Sequence, residues 1–196
     1  MLNAVRIMGI NKMDKEQILS LLHELGDELA EEESYATINV CGGAAMAIAY
    51  FNNHLTDDID ITLNSENKAI FYKIVSDIAK KYNLPEWWIK DDVEEIVNSM
   101  KEMCFKNFGK FGDLSIRIIS EEQLLAMKLF AARENKDLDD AVILAKLLNI
   151  TTKEELNNIL YTYFNERSVN FMAKRQRRDN YAEIFQELVV DKLNAD

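Results

Sequence analysis

Hydrophobic and polar positions recur with two different periods along this chain, and each change of period marks a new element. From Asp14 to Glu32 the apolar residues Ile18, Leu21, Leu22, Leu25 and Leu29 return every three or four positions, which places them on one face of a helix. Asp14 is the expected N-cap, because its carboxylate can accept from the unpaired N–H groups of the first turn. Tyr35-Ala36-Thr37-Ile38-Asn39-Val40 is rich in β-branched and aromatic residues and stops just before Gly42-Gly43, so it reads as a strand entering a tight turn. Ala44 to Asn53 returns to helix. Ile59, Ile61 and Leu63 then alternate with Asp58, Asp60 and Thr62, the period of a half-buried strand. Asp58 and Asp60 therefore point the same way.

Further on, Asn64 or Ser65 is expected to cap a helix that runs through Lys81 on a stripe of Ile70, Phe71, Ile74, Val75 and Ile78, closed by the only proline, Pro85. Trp87 and Trp88 are expected to pack this junction. Met103-Cys104-Phe105 and Leu114 to Ile119 read as two strands joined by a loop holding Gly109 and Gly112, and Ser120 caps the next helix with Glu122 or Gln123 behind it. Helical patterns follow to Arg133, from Leu138 to Leu148, from Thr152 to Phe164 and from Tyr181 to Leu193. The expected fold class is α/β (α+β), a mixed sheet flanked by helices with a C-terminal helical segment. Residues 1–119 would form the core and 120–196 a helical region packed on it.

The carboxylates carry the chemistry. Two residues apart on a strand, Asp58 and Asp60 lie about 7 Å apart at the backbone, close enough for their side chains to converge on one cation. Hard divalent cations such as Mg²⁺ (or Mn²⁺) prefer oxygen ligands and keep substrate phosphate oxygens in their shell. Gly42 and Gly43 have no Cβ to hold a ligand off the backbone, and the N–H groups of a following helix suit a phosphate.

Gly42-Gly43-Ala44, an apolar helix and then Thr56-x-Asp58-Ile59-Asp60-Ile61 resemble the glycine-glycine-serine and aspartate-x-aspartate core of the DNA polymerase β nucleotidyltransferase superfamily. The closer likeness is to bacterial AbiEii-type and related nucleotidyltransferases, some of which act as toxins in toxin–antitoxin or phage-defence pairs. Trp88-Ile89-Lys90-Asp91-Asp92, Glu122 to Leu129, Arg133 and Lys136-Asp137-x-x-Asp140 extend it over about residues 15–150. The resemblance implies the nucleotidyltransferase fold and transfer of a nucleoside monophosphate from an NTP to an RNA (tRNA) or protein acceptor, with an antitoxin protein as partner. It implies Asp58 and Asp60 as metal ligands, Gly42, Gly43, Ala44, Thr56, Lys128 and Arg133 as nucleotide contacts, and Lys128 as the group that stabilises departing pyrophosphate. Two positions depart from the pattern. Ala44 stands where the family has a serine whose hydroxyl meets a phosphate. The strand Leu114 to Ile119 lacks the family's third carboxylate, for which Asp113 at its start is the substitute. These departures define the alternative, a degenerate member that binds nucleotide or a protein partner without catalysis. Asp137 and Asp140, with Arg133 or Lys136, are expected to form helix pairs that brace the structure.

Composition limits the remaining possibilities. An apolar content of 48% is enough for a core, and a net charge of -11 argues against a nonspecific nucleic-acid binder. Lys174, Arg175, Arg177 and Arg178 form a local basic cluster that reads first as a solvated helix start or loop, with guidance of RNA as the functional alternative. Cys41 and Cys104 are too few for a disulfide framework, make no zinc spacing with His23 and His54, and are expected to be buried thiols. Neither end offers an apolar run long enough to span a bilayer, and the Met1 to Arg6 start lacks a secretory hydrophobic segment, so a soluble cytoplasmic protein is expected.

Overall fold

In a computed structural model that describes residues 12–51, 53–91 and 93–195, Asp14 caps helix α1 (Lys15–Glu31) as its position suggests. Its carboxylate accepts from the Gln17 N–H at 2.9 Å, and its own N–H donates to Gln17 Oε1 at 3.1 Å, a reciprocal capping box. Asp14→Ala is expected to cost about 1 kcal/mol, read as a small fall in the thermal unfolding midpoint with unchanged helix content. The Met1 to Arg6 start and Asp92 lie outside the described residues.

The elements that follow are β1 (Ala36–Val40), α2 (Gly42–Ala45) continued by a π-helical turn (Met46–Tyr50), β2 (Ile59–Ser65), α3 (Lys68–Tyr82), β3 (Ile89–Lys90) and α4 (Glu94–Ser99). Then come β4 (Phe105–Phe111), β5 (Leu114–Ile119), α5 (Glu121–Ala131), α6 (Glu134–Leu147), α7 (Lys153–Tyr163), α8 (Glu166–Gln176) and α9 (Tyr181–Ala195). The strands form one mixed sheet in the order β3-β2-β1-β5-β4, with β2 antiparallel to β1 and parallel to β3. This is the expected α/β class, a mixed sheet flanked by helices. Among the described residues no helix is long and apolar enough to cross a membrane.

Contacts divide the chain into two compact units. One comprises residues 1–91 and 109–116, the other residues 92–108 and 117–196. In the first, Ile18, Leu22, Leu25 and Leu29 of α1 are buried, as are Phe71, Ile74, Val75 and Ile78 of α3 and Ile38, Val40, Ile59 and Ile61 of the sheet. Gly26 lets α1 approach the β4–β5 turn: an ideal Cβ there would lie 1.9 Å from the Phe111 carbonyl oxygen, while Asp113 N–H donates to Gly26 O at 3.0 Å. In the second unit Ser120 caps α5 by accepting from Gln123 N–H. Residues Gln123 to Ala131 are all buried, the all-round burial of a central helix. Phe130 stacks on Phe164 with centroids 4.0 Å apart.

Several local expectations are corrected. The α3 cap is Asn67, not Asn64 or Ser65, because β2 continues through Ser65. The strand placed at Met103-Cys104-Phe105 is instead Phe105–Phe111, so Gly109 lies within it and the turn is Gly112-Asp113 alone. Residues Lys106 to Lys110 are exposed and two of them are lysines, as suits an edge strand. Cys104, just ahead of that edge, is exposed rather than buried; only Cys41 is a buried thiol. Trp88 packs the junction fully buried, whereas Trp87 is 53% exposed. The basic cluster, expected as a helix start or loop, has Lys174 and Arg175 in the last turn of the unforeseen helix α8, Arg177, with φ 55°, as its C-cap and Arg178 beyond the helix.

Candidate functional site

The end of β1 and the start of β2 hold the site. Val40 pairs with Ile61, and Cys41 N–H continues the ladder by donating to Asp60 O at 2.9 Å. The chain then turns at Gly42, whose φ of +61° lies in the left-handed region that side chains disfavour. A Cβ at Gly42 would sit 2.3 Å from Asp60 Oδ2, and one at Gly43 would sit 2.6 Å from Thr56 Oγ1. The two glycines are therefore in direct contact with the two ends of the Thr-x-Asp-x-Asp segment. That contact is the physical reason the pair excludes side chains.

Thr56 is pinned from both sides. Its N–H and C=O pair with Met13, and its buried hydroxyl donates to Asp58 O at 3.0 Å, which shapes the approach to β2. Asp58 lies one residue before β2 and Asp60 within it; both are half-buried. His54 also belongs to this cluster, with Nε2 3.3 Å from the Gly43 Cβ position. Cys41 is fully buried; burial first and the Asp60 charge second push its thiol up to about 12, so it stays protonated and unreactive near neutral pH. The methyl of Ala44 is buried and places no hydroxyl in the site.

Sequence reasoning passed over Lys90 as a site residue. The parallel register of β2 and β3 sets Lys90 opposite Asp60, and its Nζ lies 2.9 Å from Asp58 Oδ2, the two side chains being 28% and 21% exposed. The only sequence signal was its place in Trp88-Ile89-Lys90; a strand of two residues has too little pattern to reveal its neighbour.

Asp113 is not brought to the dyad. Its carbonyl accepts from Ala36 N–H at the opposite end of β1, about 13 Å of strand away, and its carboxylate pairs with Lys110 at 3.2 Å. Among the described residues no group of three or more His, Cys, Asp or Glu side chains is arranged to hold a metal ion.

Lys128 and Arg133 belong to the second unit, where buried Lys128 and exposed Arg133 pair with the buried carboxylates of Asp137 and Asp140. Lys128 Nζ lies 3.1 Å from Asp137 Oδ1 and 2.6 Å from Asp140 Oδ2. Arg133 donates to Asp137 through Nε at 2.8 Å, Nη2 at 3.0 Å and its backbone N–H at 3.1 Å. The Asp137–Arg133 brace expected from spacing is present, but Asp140 pairs with Lys128. Burial pushes the Asp137 carboxyl up, and the Arg133 hydrogen bonds with the Lys128 charge outweigh it, holding the group below its ordinary value.

No protein-family model, no curated protein and no solved structure matches this chain.

Proposed function

We propose that the chain is a metal-dependent nucleotidyltransferase that moves a nucleoside monophosphate from an NTP to a hydroxyl of an RNA (tRNA) or protein acceptor. The observation that carries this reading is the contact of Gly42 with Asp60: a left-handed glycine turn meets one carboxylate of the Asp58–Asp60 pair at the start of β2, with no Cβ between them. A site built this way can bring phosphate against the backbone and a cation against the carboxylates at the same place. The oxygen donors of Asp58 and Asp60 suit a hard cation, and Asp58 already holds one in the Lys90 ammonium. A bound Mg²⁺ or Mn²⁺ would neutralise triphosphate charge and acidify the attacking hydroxyl.

The chain's own part is to position. Thr56 fixes the loop that aims Asp58, and Cys41 N–H fixes the strand that aims Asp60. The acceptor oxygen bonds to the α-phosphorus as the bond to the departing pyrophosphate breaks. Restraint by an antitoxin protein belongs to the same proposal.

Calorimetric titration of each NTP with Mg²⁺ or Mn²⁺ into wild type and Asp58→Ala/Asp60→Ala tests it. Metal-dependent binding to wild type that is lost in the double variant is the expected result; equal binding by both removes the dyad from the site. The buried methyl of Ala44 favours a second reading, a degenerate member that binds NTP without turnover. Tight binding with no pyrophosphate release in the presence of RNA and protein acceptors would support it.

A further inference from the structure

We propose that Lys90 is a built-in counter-ion of the carboxylate dyad, which has to leave Asp58 before a divalent cation binds and thereby makes cation and triphosphate load together. The inference rests on the metal-dyad reading above. Lys90 is held at its backbone: β3 pairs in register with β2, Ile59 N–H donates to Trp88 O at 2.8 Å, and buried Trp88 donates its indole N–H to Val75 O at 3.0 Å. Its side chain is 28% exposed, with Nζ 2.9 Å from Asp58 Oδ2. The ring of Trp87, itself 53% exposed, lies 6.0 Å from that ammonium and offers a face on which the cation can rest after leaving the carboxylate.

An ammonium and a divalent cation on one carboxylate repel each other. At about 4 Å, even with the dielectric of water, that repulsion weakens cation binding roughly tenfold or more. Arriving triphosphate reverses the balance, because its oxygens give the displaced ammonium a new anion and complete the shell of the metal. Lys90 thus disfavours a metal without nucleotide.

Mn²⁺ alone, with free Mn²⁺ read by electron paramagnetic resonance, is the probe. Lys90→Gln and Lys90→Met are expected to bind it roughly tenfold tighter than wild type, Lys90→Arg to stay near wild type, and Asp58→Asn to abolish the gain. Thermal melts establish that each variant folds. Binding by Lys90→Gln and Lys90→Met that equals or falls below wild type overturns the counter-ion role and leaves the dyad reading standing. Absence of Mn²⁺ binding in wild type and in every Lys90 variant overturns both. In the wild-type chain with ¹³C-methylated lysines, the Lys90 resonance, identified by its loss in Lys90→Arg, should shift on addition of Mg²⁺; an unmoved resonance at saturating Mg²⁺ overturns the proposal without recourse to a variant's fold.

Discussion

Asp137→Ala is expected to destabilise the protein by about 2–3 kcal/mol and to lower its thermal unfolding midpoint by roughly 5–10 °C. Asp137 is 0% exposed and takes hydrogen bonds from Lys128 and from Arg133 through both side chain and backbone. Truncation leaves the ammonium of Lys128, 6% exposed as a residue, with Asp140 as its acidic partner in the cluster, and strips the Arg133 N–H that Asp137 capped at the start of α6. Lys128 stays desolvated with one acidic partner where it had two, while the Arg133 side chain, 59% exposed, returns to water. The effect has a definite pH sense. The folded carboxyl lies below its ordinary 3.8, so its stabilisation is complete above the unfolded value and disappears as pH falls through the folded one. The gap between wild type and Asp137→Ala should therefore be full at neutral pH and shrink once pH drops below about 4. Melts of both proteins at neutral and acid pH measure this, and a variant that melts with wild type at neutral pH refutes the brace.

Gly42→Ala should leave the protein folded at a cost of about 1–2 kcal/mol, the strain of a left-handed non-glycine residue. Its larger effect is on the site. The new methyl would start 2.3 Å from Asp60 Oδ2, so the carboxylate must swing away or the turn must open. A displacement of about 1 Å at a reacting centre costs on the order of 100-fold in rate, and metal-dependent NTP binding should weaken with it. Gly42→Ala that keeps wild-type NTP and Mn²⁺ affinity would separate the glycine turn from the dyad and remove the main support for the nucleotidyltransferase reading.

What could be read in the sequence was whatever depends on near neighbours. The Asp14 and Ser120 caps follow from i to i+3 hydrogen bonds, and both are present. The Arg133–Asp137 pair follows from one helical turn, whereas of the two carboxylates expected on one strand only Asp60 lies in β2, Asp58 falling one residue before it. Helix α8 escaped because it buries only Val169 and Ala173 among its described residues, too few for an apolar stripe, so the basic cluster at its end looked like a loop. Tertiary structure alone decided which distant residues meet. It set Lys90 against Asp58, closed Gly42 onto Asp60, joined Lys128 to Asp140 and carried Asp113 to the far end of β1. These contacts depend on strand register and on the packing of elements far apart in the chain. A periodic pattern specifies which face of an element is buried, and leaves open which neighbour will cover it.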